Sequence, residues 1–287
     1  MLRQILDSID AFAPDAVLFG LDDRTASVRR DAYPAYKAGR AEKDPMLVEQ
    51  LGRAGAMLDA LGLATHTPPG LEADDVNASG AAWAGRNGWD CVVITSDRDA
   101  FALISEHTRV LRLINGGING SPLLTPARLY SMYGVPAARY LEFAALRGDA
   151  SDNLPGVSGI GEKTAAALLD QVGPMDGIWS DISDNDGRKV TEILDAWAAD
   201  TGVRRIGSRV VRALSAPGAR ERYDFNLRMM TCRDDLDLRL TPDIPGTPGL
   251  LPLDIDRVTR VVGFLGVEAT TAVAQRVLST NPASTGW

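Results

Sequence analysis

Leu2, Ile5, Leu6, Ile9 and Phe12 recur at intervals of three and four and predict a short amphipathic helix over 2–12. Pro14 ends it, and the continuous apolar run 16–21 predicts a buried parallel strand. A polar, basic stretch follows to about Pro45. Met46, Leu47, Leu51, Met57, Leu58 and Leu61 then define a second amphipathic helix. A helix over about 73–86 precedes a second apolar strand, 91–95, and a third run at 110–114. Strands alternating with helices predict an α/β fold with a parallel sheet. From about residue 126 to 215 the pattern is mainly helical. The Pro- and Gly-rich segment 241–252 predicts a linker to a final short helix over 254–265. No internal repeat or low-complexity tract interrupts this order.

Composition narrows the class. The chain has 287 residues, 45% hydrophobic and 24% charged, which suits one large or two small globular domains. No apolar run approaches the roughly 18 residues of a membrane span. The N-terminus lacks the basic-then-apolar layout of a secretion signal. Two cysteines, Cys91 and Cys232, exclude a disulfide framework and a four-cysteine zinc site. These features predict a cytoplasmic protein with no membrane partner. The net charge of −8 speaks, as a bare number, against a nucleic acid partner; the placement of the charges changes that reading.

Carboxylates cluster at four places: Asp22 at the end of the first strand, Glu72, Asp74 and Asp75 before a helix, Asp97 and Asp99 after the second strand, and Asp149 with Asp152 in RGDASDN. Taken singly, each reads as a strand-end residue or a helix cap. Open α/β sheets, however, collect ligands beyond the carboxyl ends of their strands. So many carboxylates at one place would repel one another unless cations were bound. Oxygen-only ligands suit two Mg²⁺ or Mn²⁺ ions, the usual device for displacement at phosphorus.

Two further stretches point to nucleic acid. Gly156, Val157, Ser158, Gly159, Ile160 and Gly161 form a glycine-rich hairpin bracketed by apolar residues and opening onto a helix, with Lys163 and Thr164 in its first turn. Glycines admit a phosphate close to the backbone, and helix-start N–H groups bind it without reading sequence. Between 24 and 43, six basic residues face two acidic ones, with Tyr33 and Tyr36 among them; basic groups interleaved with aromatics suit frayed or single-stranded nucleic acid. Residues 188–228 carry a weaker basic excess, which reads as a solvated face with accessory DNA contact. His66 and His107 lack partners in the pattern, and the tryptophans read as core.

The segments LDDRTASVRRDAYPAYKAGR, LEADDV, VVITSDRDAF and RGDASDNLPGVSGIGEKTAAALL, in this order, resemble the 5′-nuclease family: the flap endonuclease or 5′–3′ exonuclease domain of bacterial DNA polymerase I and its free-standing relatives. The resemblance implies a PIN-like metal-binding core with a helical arch over 1–135. It further implies a helical lobe with a helix-hairpin-helix DNA-binding motif over 136–240, and a linker with a C-terminal helix over 241–287. It implies that Asp22, Glu72 and Asp74 serve one divalent ion, and that Asp75, Asp97, Asp99, Asp149 and Asp152 serve the other or lie between the two. Arg29, Lys37 and Arg40 would lie at the arch near the scissile phosphate, with Lys37 and Arg40 stabilising charge there. Tyr36 would stack on the terminal base, and Gly156–Thr164 would grip duplex DNA and, as often in this family, hold a K⁺ ion.

The implied activity is metal-dependent 5′–3′ exonuclease and flap endonuclease cleavage by a monomer acting on DNA flaps, nicks and 5′ ends, and on RNA primers. One departure sets a second expectation beside it. Family members begin with an apolar strand ending in Asp-Gly, upstream of the position of Asp22, whose Asp is a metal ligand. This chain starts inside what would be the following helix. The alternative expectation is a catalytically impaired protein that binds DNA flaps.

Overall fold

A computed structural model describes residues 2–40, 44–244, 246–264 and 268–280 of the chain. The first part runs α1 (Leu2–Phe12), β1 (Leu18–Gly20), α2 (Val28–Ala32), α3 (Pro45–Leu61), β2 (Ala64–His66), α4 (Ala73–Arg86), β3 (Cys91–Thr95) and β4 (Thr108–Arg112). A short α5 (Gly117–Gly120), β5 (Leu123–Leu124) and α6 (Pro126–Tyr133) lead into a helical lobe. The lobe comprises α7 (Tyr140–Arg147), the two-residue strands β6 (Gly148–Asp149) and β7 (Leu154–Pro155), then α8 (Glu162–Gln171), α9 (Met175–Asn185), α10 (Arg188–Thr201), α11 (Gly207–Leu214) and α12 (Ala219–Met230). The chain ends in α13 (Ile255–Gly263) and α14 (Glu268–Ser279). The mixed α/β class with a helical lobe is the one expected. No helix among the described residues is long and apolar enough to cross a membrane.

Local chemistry sets the helix limits. Asp44 accepts a hydrogen bond from Met46 N–H, Pro45 fills the first turn of α3, and Gly62 closes it in the left-handed region. Thr125, Pro126 and Gly134 delimit α6 in the same way.

The sheet differs from a single parallel layer. β1 pairs in parallel with β2, and β3 with β4, while β5 joins β4 antiparallel. No backbone ladder joins β1 to β3 among the described residues; α4 packs against both. The strand expected over 16–21 shrinks to three residues because Val17 N–H bonds to Gly249 O, and Ala16 bridges to Leu250. Within the segment 241–252, expected as a linker, Gly249, Leu250 and Leu251 therefore pair with Val17, Ala16 and Asp15 just before β1. The helix expected over 254–265 spans Ile255–Gly263, with residue 265 outside the described residues, and α14 follows unforeseen.

Two cores hold the molecule. The larger joins α4, β3 and β4 to the lobe, with Phe101, Tyr140, Phe143, Leu146, Leu168 and Leu169 fully enclosed. Each such side chain contributes about 1.5–3 kcal/mol of burial. Phe101, Tyr133, Tyr140 and Phe143 meet at centroid separations of 5.5–6.0 Å. The second core packs Leu6 and Ile9 of α1 against Leu58 and Leu61 of α3, Val258 and Val262 of α13, and Leu278 of α14. The C-terminal helices thus complete the first part of the chain.

Gly148 lies at φ +77°, ψ 174°, a region closed to other residues, and an added Cβ would collide with backbone atoms of Leu154 and Gly156. Gly161, at φ −90°, has open space around it. Urea unfolding should show Gly148→Ala losing about 3 kcal/mol or more and Gly161→Ala losing less than about 1 kcal/mol.

Candidate active site

Asp22 follows β1 and Asp97 and Asp99 follow β3, so all three leave the carboxyl ends of parallel strands. Glu72 and Asp74 stand at the start of α4, and Asp149 and Asp152 enter from the β6–β7 hairpin of the lobe. The loops are held by their own carboxylates. Asp22 Oδ1 accepts from Ala73 N–H at 3.0 Å, Asp97 Oδ1 from Asp99 N–H at 3.0 Å, and Asp149 Oδ1 from Ser151 N–H at 2.7 Å.

Burial and repulsion from neighbouring carboxylates act on two of these acids. Asp99 is pushed up to about 7, first by burial, then by Asp97, Asp149, Asp152 and Asp74. Asp74 is pushed up to about 6 by burial, then by Asp97, Glu72 and Asp22, with Lys37 opposing. Asp99 Oδ1 is buried with no hydrogen-bond partner, an unstable state for a carboxylate oxygen unless something binds it.

Two cations stand among the acids. Lys37 Nζ is 2.8 Å from Glu72 Oε1 and 3.7 Å from Asp152 Oδ2, and Arg40 Nη2 is 2.7 Å from Asp152 Oδ1. Lys37 sits in the left-handed region, φ +55°, with its N–H donating to Asp152 O. Among the described residues, no three histidine, cysteine or carboxylate groups already form a ready-made ligand set for one ion. The oxygen-only donors and the unpartnered Asp99 oxygen fit a hard divalent cation.

Three expected roles change. Asp75 is fully buried, and both its oxygens are engaged: Oδ1 by Arg29 Nη2 and Arg233 N–H, Oδ2 by Arg29 Nη1 and Glu72 N–H. It is a structural anchor and offers no oxygen to a metal. Burial raises its pKa, but Arg29 and the two N–H donors prevail and hold it below the ordinary value. Arg29 also donates to Met229 O and lies 3.3 Å from Glu72, so it is not free to meet a phosphate. Burial opposes its charge, and pairing with Asp75 keeps its pKa above the ordinary value. Tyr36 is 4% exposed and donates to Glu72 Oε2 at 3.0 Å, so it presents no face to a base here.

The pattern of residue types missed the segment 229–236, which straps α4. Arg233 N–H meets Asp75, Arg233 O accepts from Ser79 Oγ, and Leu236 N–H donates to Ser79. Its bonds use mostly backbone atoms and leave no side-chain signature. In the hairpin, Val157 and Ile160 are buried anchors, while Ser158, Gly159, Gly161 and Lys163 are exposed and Thr164 is partly so.

A family model described as 5′-3′ exonuclease, N-terminal resolvase-like domain, matches residues 1–134, and one described as 5′-3′ exonuclease, C-terminal SAM fold, matches 135–215. The chain is 35% identical over 262 residues to a thermostable DNA polymerase I of Thermus filiformis, covering 88% of this chain and 28% of the relative. It is 40% identical over 163 residues to DNA polymerase I of Deinococcus radiodurans, covering 57% of this chain and 16% of the relative. It therefore spans well under a third of these polymerases. Among solved structures, the T5 D15 protein co-crystallised with metal ions superposes with a TM-score of 0.57 at 19% identity, covering 96% of this chain and 91% of that one. The catalytic core of Rad2 in complex with DNA substrate gives 0.54 at 17% identity, covering 96% and 81%. At these identities the likeness concerns the fold.

Removing one partner of the enclosed Arg29–Asp75 pair strands the other charge. Arg29→Met should destabilise the protein by about 3–5 kcal/mol in urea unfolding, and Arg29→Met with Asp75→Leu should recover most of that loss. The raised carboxylates set a pH dependence. A group with a folded pKa above its unfolded value, near 4, favours folding while protonated, and loses that advantage as pH rises to its folded pKa. In EDTA, melting temperature should fall between pH 5 and pH 8, and Asp99→Asn should flatten the dependence.

Proposed function

Since this chain belongs to the 5′–3′ exonuclease family, we propose that it hydrolyses DNA phosphodiester bonds at 5′ ends and 5′ flaps. In this reading two Mg²⁺ ions are held by Asp22, Glu72, Asp74, Asp97, Asp99, Asp149 and Asp152. The observation that carries the reading is the grouping of Asp74, Asp97, Asp149 and Asp152 around Asp99, and of Asp97, Glu72 and Asp22 around Asp74, with Asp99 Oδ1 lacking a partner. Divalent cations bound there would supply an activated water and offset charge on the phosphodiester.

The chain's own groups do the rest. Lys37 and Arg40, which pair with Glu72 and Asp152, would offset charge on the substrate phosphate. Arg29, Asp75 and the 229–236 strap hold the start of α4, and so Glu72 and Asp74, in place. The exposed turn of the hairpin and the first turn of α8, with Lys163, bind duplex phosphates irrespective of sequence. Most metal-site residues belong to the core over 1–135, with Asp149 and Asp152 entering from the lobe over 136–240, which also carries the duplex grip.

A 5′-flap DNA substrate should be cleaved with Mg²⁺ and not in EDTA. Asp97→Ala should slow cleavage by at least about 10²-fold while leaving DNA binding largely intact, and Lys163→Ala should weaken binding alike across sequences. Normal cleavage by Asp97→Ala at saturating Mg²⁺ would overturn the assignment.

A further inference from the structure

The segment 188–212 carries six cations, Arg188, Lys189, Arg204, Arg205, Arg209 and Arg212, against three carboxylates, with Asp184 and Asp186 exposed just before it. All six cations are exposed. Some exposed arginines elsewhere meet acids, as in Arg3–Asp7, Arg53–Glu49, Arg220–Asp224, Arg233–Asp235 and Arg276–Asp10, while others, such as Arg30, Arg86 and Arg98, have no ion pair among the described residues. Among the described residues, the six make no side-chain hydrogen bond or ion pair. Of the three acids within the segment, Asp195 is committed to Gly207 N–H at the start of α11, at 2.9 Å.

Three glycines bring this charge beside the hairpin. A Cβ on Gly159, in the exposed hairpin turn, would lie 3.2 Å from Ala213 of α11. One on Gly187, directly before Arg188, would lie 2.6 Å from Val211, and one on Gly207 would meet the backbone of Thr191 at 2.6 Å. The backbones approach closely only because no side chain intervenes. α11 is thereby wedged between the hairpin turn and the first turn of α10. Val210 and Leu214 of α11 are buried, and Arg209 and Arg212, one turn apart, remain outside.

We infer that Arg188, Lys189, Arg204, Arg205, Arg209 and Arg212 form a second phosphate rail that extends the duplex contact beyond the hairpin. Its ligand is the sugar-phosphate backbone of double-stranded DNA, read by charge and without base preference. The inference rests on the DNA-binding reading above and adds to it a longer duplex footprint.

The test is fluorescence anisotropy of labelled 5′-flap DNA in EDTA, over a KCl series, with a short and a long downstream duplex. Wild type should show the steeper salt dependence on the long duplex. A variant carrying R204A, R205A, R209A and R212A, with its melting temperature unchanged, should lose about three to four from the log Kd–log salt slope on that duplex. It should match wild type on the short one. Lysine at the same four positions should restore the slope, because the contact is one of charge. An alanine variant with the wild-type slope on the long duplex, or lysine replacements that lose as much as alanine, would overturn the rail. Wild type failing to bind either DNA would overturn the underlying reading instead, and the two failures are distinct.

Discussion

Repulsion between carboxylates is the constraint to which much of this structure answers. Two strand ends, one helix start and one hairpin deliver acids to the same place, and burial removes the water that would separate their charges. Asp99 and Asp74 bear the consequence, with pKa values near 7 and 6. The protein answers with its own cations. Lys37 bridges Glu72 and Asp152, and Arg40 adds a second contact to Asp152. These pairs tie the segment after α2 to both the core and the lobe, so the site spans the two parts of the chain. Asp99 Oδ1 is left with no protein donor.

Close backbone approach is the second organising element. Gly148 and Gly156 bring the ends of the β6–β7 hairpin against α7, which places Asp149 and Asp152 opposite the core acids. Asn226, fully enclosed, donates to Ala145 O and Pro155 O and ties α12 to the same hairpin. The strap that follows α12 then reaches Asp75 and Ser79 of α4. A continuous path of buried polar bonds and aromatic packing thus runs from the lobe to the start of α4. Rigidity of this kind is what a site needs if its ligands come from four separated segments.

Much of this was legible in the residues. Helices α1, α3 and α4 and strand β3 follow from periodicity, and the glycine-rich hairpin from its spacing. The acids at strand ends were legible because chemistry at phosphorus needs hard oxygen ligands, and few structural roles ask for so many. Asp75 was misread because its type and position match its neighbours Glu72 and Asp74. Only the partner of a buried acid decides its role, and Arg29 is 46 residues away. Tyr36 was misread for the same reason, since an aromatic among basic residues says nothing of its burial. β2, with three residues, is too short to carry a period. The split of the sheet, the strap and the pairing of 249–251 with 15–17 rest on backbone bonds to which side-chain patterns are blind.

In the proposed function, the acids around Asp99 hold divalent cations, with Lys37 and Arg40 beside them. A crystal structure of the protein grown with Mn²⁺, with anomalous data collected above the manganese edge, tests it most directly. Anomalous density is expected among Asp74, Asp97, Asp99, Asp149 and Asp152, with one peak within bonding distance of the Asp99 carboxylate and Lys37 and Arg40 drawn away from Glu72 and Asp152. Saturating Mn²⁺ with no density at these residues, and Lys37 still paired with Glu72, would contradict it.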